Sequence, residues 1–390
     1  MSAELDPALA ERVERARRRF RARLGGSPAV VAWGPGRVNL IGEHTDYNQG
    51  LAMPAAIDRW VVVALRPRRD RRVQLWSEAF GESLSLRWGE PFAPTASWQR
   101  FVVGAMAVLD GPADIPHGWE GVLLGDVPLG AGLSSSAAVE VALLNALRAL
   151  YEVQLEDLEL IRLCQRIEHE HLGLHSGLLD QFASQFSRPG HLLVVDFDDL
   201  SHRHVPARLN GWTWVVLDSG VRRELAGSAY QQRVAECAEG LAWVRARHPA
   251  VRRFRDLSVD HLPEGPVWAR RLRHVIDENA RVLATERALV RGDLDRVGEL
   301  LIGSHRSLRD LYQVSCTELD VLVEEALAWT GCAGARMVGG GFGGCTLNLV
   351  RDDRVAGLVE AVGSAYQERT GWSTRGWRFR FVGGGGASRP

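Results

Sequence analysis

Short apolar runs bounded by turn residues recur in the first quarter of the chain: AVVAW at 29–33, WVVVALR at 60–66 and RVQLW at 72–76. Runs of this length, rich in β-branched and aromatic residues, predict strands and hence a sheet near the N-terminus. Residues 7–24 before them repeat with a helical period. In GVLLGDVPLGAGLSSSAAVEVALLNALRALY, residues 121–151, the period passes from strand to helix with a glycine-rich turn at the junction. Helical periodicity returns at 156–172, and HLLVVDF at 191–197 and WTWVVL at 212–217 predict further strands. The second half carries helical patterns at 224–246, 266–290 and 293–311, then a strand, GGGFGG and the strand CTLNLV. Strands and helices grouped in this way predict an α+β protein rather than alternating β-α units. The pattern divides into domains 1–205 and 206–390, and the tail GGGGASRP reads as loosely held.

Composition narrows what such a chain does. With 390 residues it buries a full core, and more than one domain is expected. A formal charge of −1 gives no net field for nucleic acid or an anionic membrane, so the expected partner is a small molecule. The N-terminus lacks a signal-peptide pattern and no apolar run is long enough to span a bilayer, which predicts a cytoplasmic protein. The arginine-rich segment at 7–24 is interleaved with Glu11 and Glu14 and reads as a solvated helix face. The five cysteines are far apart and read as reduced thiols. All 47 basic residues are arginine. A phosphate loop that needs a lysine, a kinase strand lysine and a lysine Schiff base are thereby excluded, and if the protein handles phosphate it must use arginine, backbone N–H groups and metal.

Four segments concentrate chemistry. In PLGAGLSSSAA, residues 128–138, Gly130 and Gly132 allow close backbone approach, and the following helix points free N–H groups at an anion. Ser134, Ser135 and Ser136 add hydroxyls; a capped helix start after a glycine turn is the alternative. GPGRVNLIGEHTDYNQG at 34–50 gathers an arginine, two carboxylates, a histidine, two asparagines and a tyrosine, the donors and acceptors that hold sugar hydroxyls. A turn in which Asp46 and Asn48 bond local backbone is the competing reading. EHEHLGLHSGLLDQ, from Glu168 to Gln181, ends a helix before Asp180; its histidines do not make H-E-x-x-H, because Gly173 stands at the second histidine position. GARMVGGGFGGC at 334–345 contains G-x-G-x-x-G at Gly339, Gly341 and Gly344, but a strand follows it, so close backbone approach explains the glycines better than a dinucleotide site does.

Together these segments resemble the galactokinase branch of the superfamily that also holds homoserine, mevalonate and phosphomevalonate kinases. GPGRVNLIGEHTDYN is similar to the galactokinase signature, PLGAGLSSSAA to the superfamily's phosphate loop and GARMVGGGFGGC to its third motif. Likeness also runs through SGLLDQ, RRELAGSAYQQRVAEC and SHRSLRDLYQVSCTELD, and so over nearly the whole chain from about residue 20. The resemblance implies an N-terminal domain like domain 2 of ribosomal protein S5 and a ferredoxin-like C-terminal domain, with the active site between them.

Carried over by position, Asp180 corresponds to the catalytic carboxylate, and Arg37 would hold it ionised and offset charge on the transferred phosphoryl group. Glu43, His44, Asp46, the backbone at Gly177 and Tyr230 would hold a galactose-like monosaccharide. ATP would lie on Gly130, Gly132, Leu133, Ser134, Ser135 and Ser136 with Trp98 bordering the adenine, and Mg²⁺ would be held by Ser136 and Glu168. A monomer is expected. Gly34, Gln231 and Leu311 depart from the family's usual residues without removing a catalytic group. A kinase for another sugar such as N-acetylgalactosamine and a non-catalytic galactose and ATP sensor are the alternatives.

Overall fold

The structure, a computed structural model, describes residues 5–109, 117–222 and 226–389, except for the side chains of 226–228. The first half runs α1 (Pro7–Leu24), β1 (Val30–Asn39), β2 (Leu51–Ala52), β3 (Pro54–Pro67), β4 (Arg72–Ser77), β5 (Glu82–Arg87), α2 (Ser97–Leu109), β6 (Trp119–Gly125), α3 (Ser135–Tyr151), α4 (Asp157–Arg166), α5 (Leu179–Phe186), β7 (His191–Asp196) and β8 (Ser201–Pro206). The second runs β9 (Trp212–Asp218), α6 (Ala226–Arg247), α7 (Val267–Arg291), α8 (Leu294–Ser307), α9 (Thr317–Ala328), β10 (Cys332–Val338), β11 (Cys345–Arg351), α10 (Leu358–Thr370), β12 (Arg375–Arg378) and β13 (Gly386–Ser388). The beginning of the helix expected at 224–246, and with it part of RRELAGSAYQQRVAEC, lies outside the described residues.

A six-stranded sheet in the order β13-β1-β3-β6-β4-β5 forms the base of the first half, with β4 and β6 its parallel pair. Alternation along β1 sends Val31 and Trp33 to α1 and Val30 and Ala32 to α3, so every residue of the strand is buried. Leu9, Val13, Ala16 and Phe20 form the matching stripe on α1, at the spacing that puts one helix face on a core. A Cβ at Gly34 would stand 2.3 Å from the Ala138 carbonyl oxygen, so glycine lets α3 lie directly on β1. The second half packs its helices around a four-stranded antiparallel sheet, β10-β11-β9-β12, and a small sheet, β2-β7-β8, sits behind the first motif loop.

Two expectations are corrected. The glycine tail is fastened to the first sheet: β13 pairs with β1, and Gly384 and Gly385 donate to Ser187 and Ser184. Added Cβ atoms at those glycines would fall 2.0 and 2.5 Å from Gln185 O and Val141 Cγ1, so the glycines serve close packing, not looseness. The helices expected at 156–172 and 293–311 each change into a π-helical segment, Ile167–Leu172 and Leu308–Tyr312, the first of which carries Glu168 into the site.

Candidate active site

The strand β1 delivers its arginine through a break in the ladder. Pro35 faces Trp60 but Arg37 faces Ala56, and the Arg37 amide donates to Leu133 O at 3.1 Å. The phosphate-loop backbone is thereby tied to the end of β1. Gly36 permits this approach, since a Cβ there would stand 2.9 Å from the same carbonyl. The Arg37 guanidinium donates through Nε to Asp180 Oδ1 at 2.7 Å and through Nη1 to Gly132 O at 2.6 Å. Burial disfavours the arginine's charge, but the facing Asp180 carboxylate outweighs it and holds the guanidinium above its ordinary pKa.

Ser134 does not act as the side-chain cap of α3. It occupies the left-handed region at φ 57° and caps no amide of α3; its hydroxyl donates to Asp180 Oδ2. The serine therefore joins the glycine-rich loop to Asp180 instead of capping the first N–H groups of α3. Asp180 receives Arg37 on one oxygen and Ser134 on the other.

The loop after β1 builds a cavity beside this pair, lined by Arg37, Glu43, His44, Asp46, Glu168, Ser176, Gly177, Leu179, Asp180, Tyr230, Gly339 and Gly340. It thus brings together Asp180, Arg37 and all five expected sugar contacts. Asp46 closes over Gly177, where a Cβ would meet Asp46 Oδ2 at 1.8 Å. Burial, reinforced by the Asp180 charge, pushes the Asp46 carboxyl up to about 6. Glu43 accepts from Gly339 N at 2.7 Å and pairs with Arg336 at 3.0 Å, and Asn39 donates to its other oxygen. The third motif therefore meets the first through Glu43, while Gly339 and Gly344 lie against the backbone of Gly132 and Ala131.

Helix α7 secures the same loop from the other half of the chain. Glu278 accepts from Gly42 N at 3.0 Å and from Ser304 Oγ at 2.6 Å, and Arg281 holds it at 2.6 Å. Burial opposes its charge, yet Arg281, His274 and Arg336 together bring the carboxyl down to about 2. Asn279 accepts from Leu51 N at 2.8 Å.

A second, apolar cavity of about 530 Å³ begins at the first turn of α3. Ser135 and Ser136 lie at one end, and Phe80, Trp98, Phe101, Val127, Leu129 and Val139 wall the rest. Trp98 stacks nearly parallel to Phe80 and donates to Glu82 at 3.2 Å, which fixes its indole in the wall. Gly130 and Gly132 both have positive φ, where glycine is the favoured residue.

Glu168, in the first π-helical segment, is buried beside Asp180 and Asp46, and Ser176 donates to it. Burial raises its pKa and the neighbouring carboxylates add to the shift; Glu140 behind it is raised in the same way. The crowded carboxylates of Glu168, Asp180 and Asp46 are the oxygen ligands that a hard cation such as Mg²⁺ takes. Among the described residues no three His, Cys, Asp or Glu side chains gather closely enough to hold an ion by themselves. Ser136 lines the apolar cavity and Glu168 the polar one. His169, by contrast, bonds Ser176 O at 3.0 Å, and Gly173 in the left-handed region ends the helix before His175.

Arg336, Asn39, Glu278, Ser176 and Tyr312 all support the site without having been singled out in the sequence. Arg336 alone had a local signal, an arginine inside the apolar strand ARMV. Asn39 and Ser176 lie within the quoted segments and bond Glu43 and Glu168 nearby in the chain, whereas Glu278 and Tyr312 became visible only when distant segments met.

Similarity to known proteins places the chain in a class of small-molecule kinases. The GHMP kinases N terminal domain matches residues 100–188 and the GHMP kinases C terminal matches 285–368. A mevalonate kinase structure at 18% identity shares the fold, with a TM-score of 0.66 over 90% of this chain and 99% of that one. The galactokinase galactose-binding signature matches residues 18–67. Galactokinases of Chloroflexus aggregans and Homo sapiens are 42% and 40% identical, over 90% of this chain in each case and over 92% and 91% of theirs. A Lactococcus lactis galactokinase solved in complex with galactose superposes with a TM-score of 0.90 at 34% identity, covering 98% of this chain and all of that one. The chain belongs to the galactokinase family.

Proposed function

We propose that the protein transfers the γ-phosphate of ATP to the anomeric hydroxyl of D-galactose, giving galactose 1-phosphate and ADP, and that it acts as a cytoplasmic monomer. One observation carries the reading: Asp180 is bonded by Arg37 and Ser134 at the wall of a cavity that also presents Glu43, His44, Asp46 and Tyr230. A sugar with its anomeric oxygen at Asp180 has its other hydroxyls within a ring of matched acceptors and donors. Asp46 and Glu43 would select the galacto configuration, the Gly177 backbone would approach the sugar closely, and Tyr230 would pack on it.

The sugar oxygen forms a bond to the γ-phosphorus as the bond to the bridging oxygen of ADP breaks, and the hydroxyl proton passes to Asp180. Arg37 aims Asp180 and offsets charge on the transferred group. Positioning and electrostatics supply most of the acceleration, because phosphoryl transfer asks little covalent chemistry of the protein. Amides following Gly130, Gly132 and Leu133, with the hydroxyls of Ser134, Ser135 and Ser136, would hold the phosphates at the start of α3, while the apolar cavity bordered by Trp98 would take the adenine. Ser136 and Glu168 would hold Mg²⁺, whose charge neutralises phosphate oxygens when it is bound. In this reading residues 1–205 supply the sugar loop, the phosphate loop and Asp180, and residues 206–390 supply Tyr230 and the third motif.

An ADP-release assay with Mg·ATP against galactose, glucose and N-acetylgalactosamine, with phosphorus NMR of the product, tests this. Galactose 1-phosphate from galactose with little turnover of glucose is the expected outcome. Binding of galactose and ATP without any turnover would overturn it in favour of a sensor.

A further inference from the structure

The carbonyl of Ser176 is held by two side chains that the phosphoryl-transfer chemistry does not use. Gln165 Nε2, on α4, and His169 Nε2, on the first π-helical segment, each stand 3.0 Å from Ser176 O. A carbonyl oxygen carries no proton, so both nitrogens donate, and the two bonds fill its two acceptor positions. Ser176 and Gly177 line the polar cavity, and neither Gln165 nor His169 does. The chain turns back on itself to make this contact. Gly173 ends the helical run in the left-handed region, Leu174 N donates to Glu168 O at 2.9 Å, and Ser176 returns to the residues the chain has just left.

The described peptide bonds are trans, and in a trans peptide the C=O and the following N–H point in opposite directions. Fixing Ser176 O on Gln165 and His169 therefore turns the Gly177 N–H the other way, toward the cavity. Asp46, which lies against Gly177, takes the Leu179 amide at 3.4 Å, and among the described residues nothing accepts from the Gly177 N–H. The same wall is rich in acceptors: Glu43, Asp46, Glu168 and Asp180 bring carboxylates, which when ionised take hydroxyl protons and give none. A sugar hydroxyl both gives and takes, so its oxygen needs a donor too. Arg37 is committed to Asp180 and Gly132, and the Gly177 N–H supplies a donor beside Asp46. Turned over, the same peptide would place the Ser176 carbonyl there, one more acceptor among carboxylates.

We propose that Gln165 and His169 aim the Gly177 N–H into the cavity as a fixed donor to one sugar hydroxyl oxygen, which makes both of them positioning residues for galactose. This rests on the reading that galactose occupies the cavity.

The test follows the Gly177 amide of the full chain by proton–nitrogen NMR and hydrogen exchange, with sugar affinity from calorimetry, in wild type, the double variant Gln165→Met/His169→Leu, and His169→Gln. In wild type, galactose is expected to shift the Gly177 amide and slow its exchange. The double variant loses both donors and should bind galactose about tenfold more weakly with ATP affinity unchanged, and its Gly177 amide should no longer respond. His169→Gln keeps a donor and should stay within about twofold of wild type. Against 2-, 3-, 4- and 6-deoxygalactose, the double variant's loss should vanish for one analogue, the one without the hydroxyl that faces Gly177. The single variants Gln165→Met and His169→Leu, each keeping one bond, should show the same pattern at smaller size. An equal loss against every analogue overturns the proposal, and so does a wild-type Gly177 amide that galactose binding leaves unmoved. A Gly177 amide that responds to galactose in a protein that makes no galactose 1-phosphate would leave the proposal standing and remove the proposed reaction.

Discussion

Arginine does opposite work in two regions of this molecule. On α1 it lies at the surface: Arg12 pairs with Asp126 and Arg15 with Glu78, and Arg23 stacks over Trp76 at 3.8 Å. Around the cavity it is sunk: Arg37, Arg336 and Arg271 are 6%, 0% and 2% exposed, and each holds specific oxygens of other segments. The first set neutralises the carboxylates of a sheet edge and covers aromatic faces, work that water would largely share. The second set has no water to fall back on, so each guanidinium fixes where a carboxylate or carbonyl stands. The residue type is the same in both regions, and its role follows from solvent access.

The sharpest way to break that contrast is at Arg37. Arg37→Ala and Asp180→Asn are each expected to lower kcat by about 10³-fold or more while circular dichroism and chromatographic behaviour stay native. Near-normal turnover in either variant would strip the pair of its proposed role. Next comes Arg336→Met, which leaves the Glu43 carboxylate buried beside Asn39 and the Gly339 amide alone. Breaking a buried pair this way should cost about 3–5 kcal/mol in a urea unfolding experiment. Adding Glu43→Gln should restore part of that loss, and failure to do so would mean that Arg336 acts by packing.

Asp46 offers a smaller, graded effect through pH. Its carboxyl is raised to about 6 in the folded protein, above its ordinary value, so the native state holds this proton more tightly than the unfolded chain. Its ionisation therefore costs stability above about 6, and that cost fades as the pH falls. Sugar binding runs the other way, since the ionised carboxylate is the acceptor. KM for galactose should rise as the pH falls through about 6, up to roughly tenfold per unit below it, and Asp46→Asn should remove that dependence. The smallest change is expected at the surface: Arg15→Ala should cost less than about 1 kcal/mol and leave kcat untouched, because its pair with Glu78 is solvent-exposed on the arginine side.

The long alternations and periods were legible without coordinates. The strand at 60–66 and the helix at 7–24 appear where their patterns put them, because a strand's two faces and a helix's stripe are local properties. So was the clustering of chemistry in 34–50, 128–138, 168–181 and 334–345, since each cluster is contiguous in the chain. The glycine tail was misread because sequence cannot distinguish glycines that loosen a chain from glycines that let two backbones touch; Gly384 and Gly385 do the latter. The π-helical turns at Glu168 and Tyr312 were invisible for a related reason, as they insert one residue per turn without altering the apolar period enough to register.

By itself, the sequence determined which residues are available and which neighbours along the chain they keep. Tertiary structure alone decided that Arg37 meets Asp180 across 143 residues, that Tyr47 meets Tyr312 across 265, and that Glu43 answers to Arg336 and Gly339 from the far end of the chain. Those pairings depend on how two sheets and α7 close around one loop. Only that closure removes the water that would otherwise make each contact weak and interchangeable.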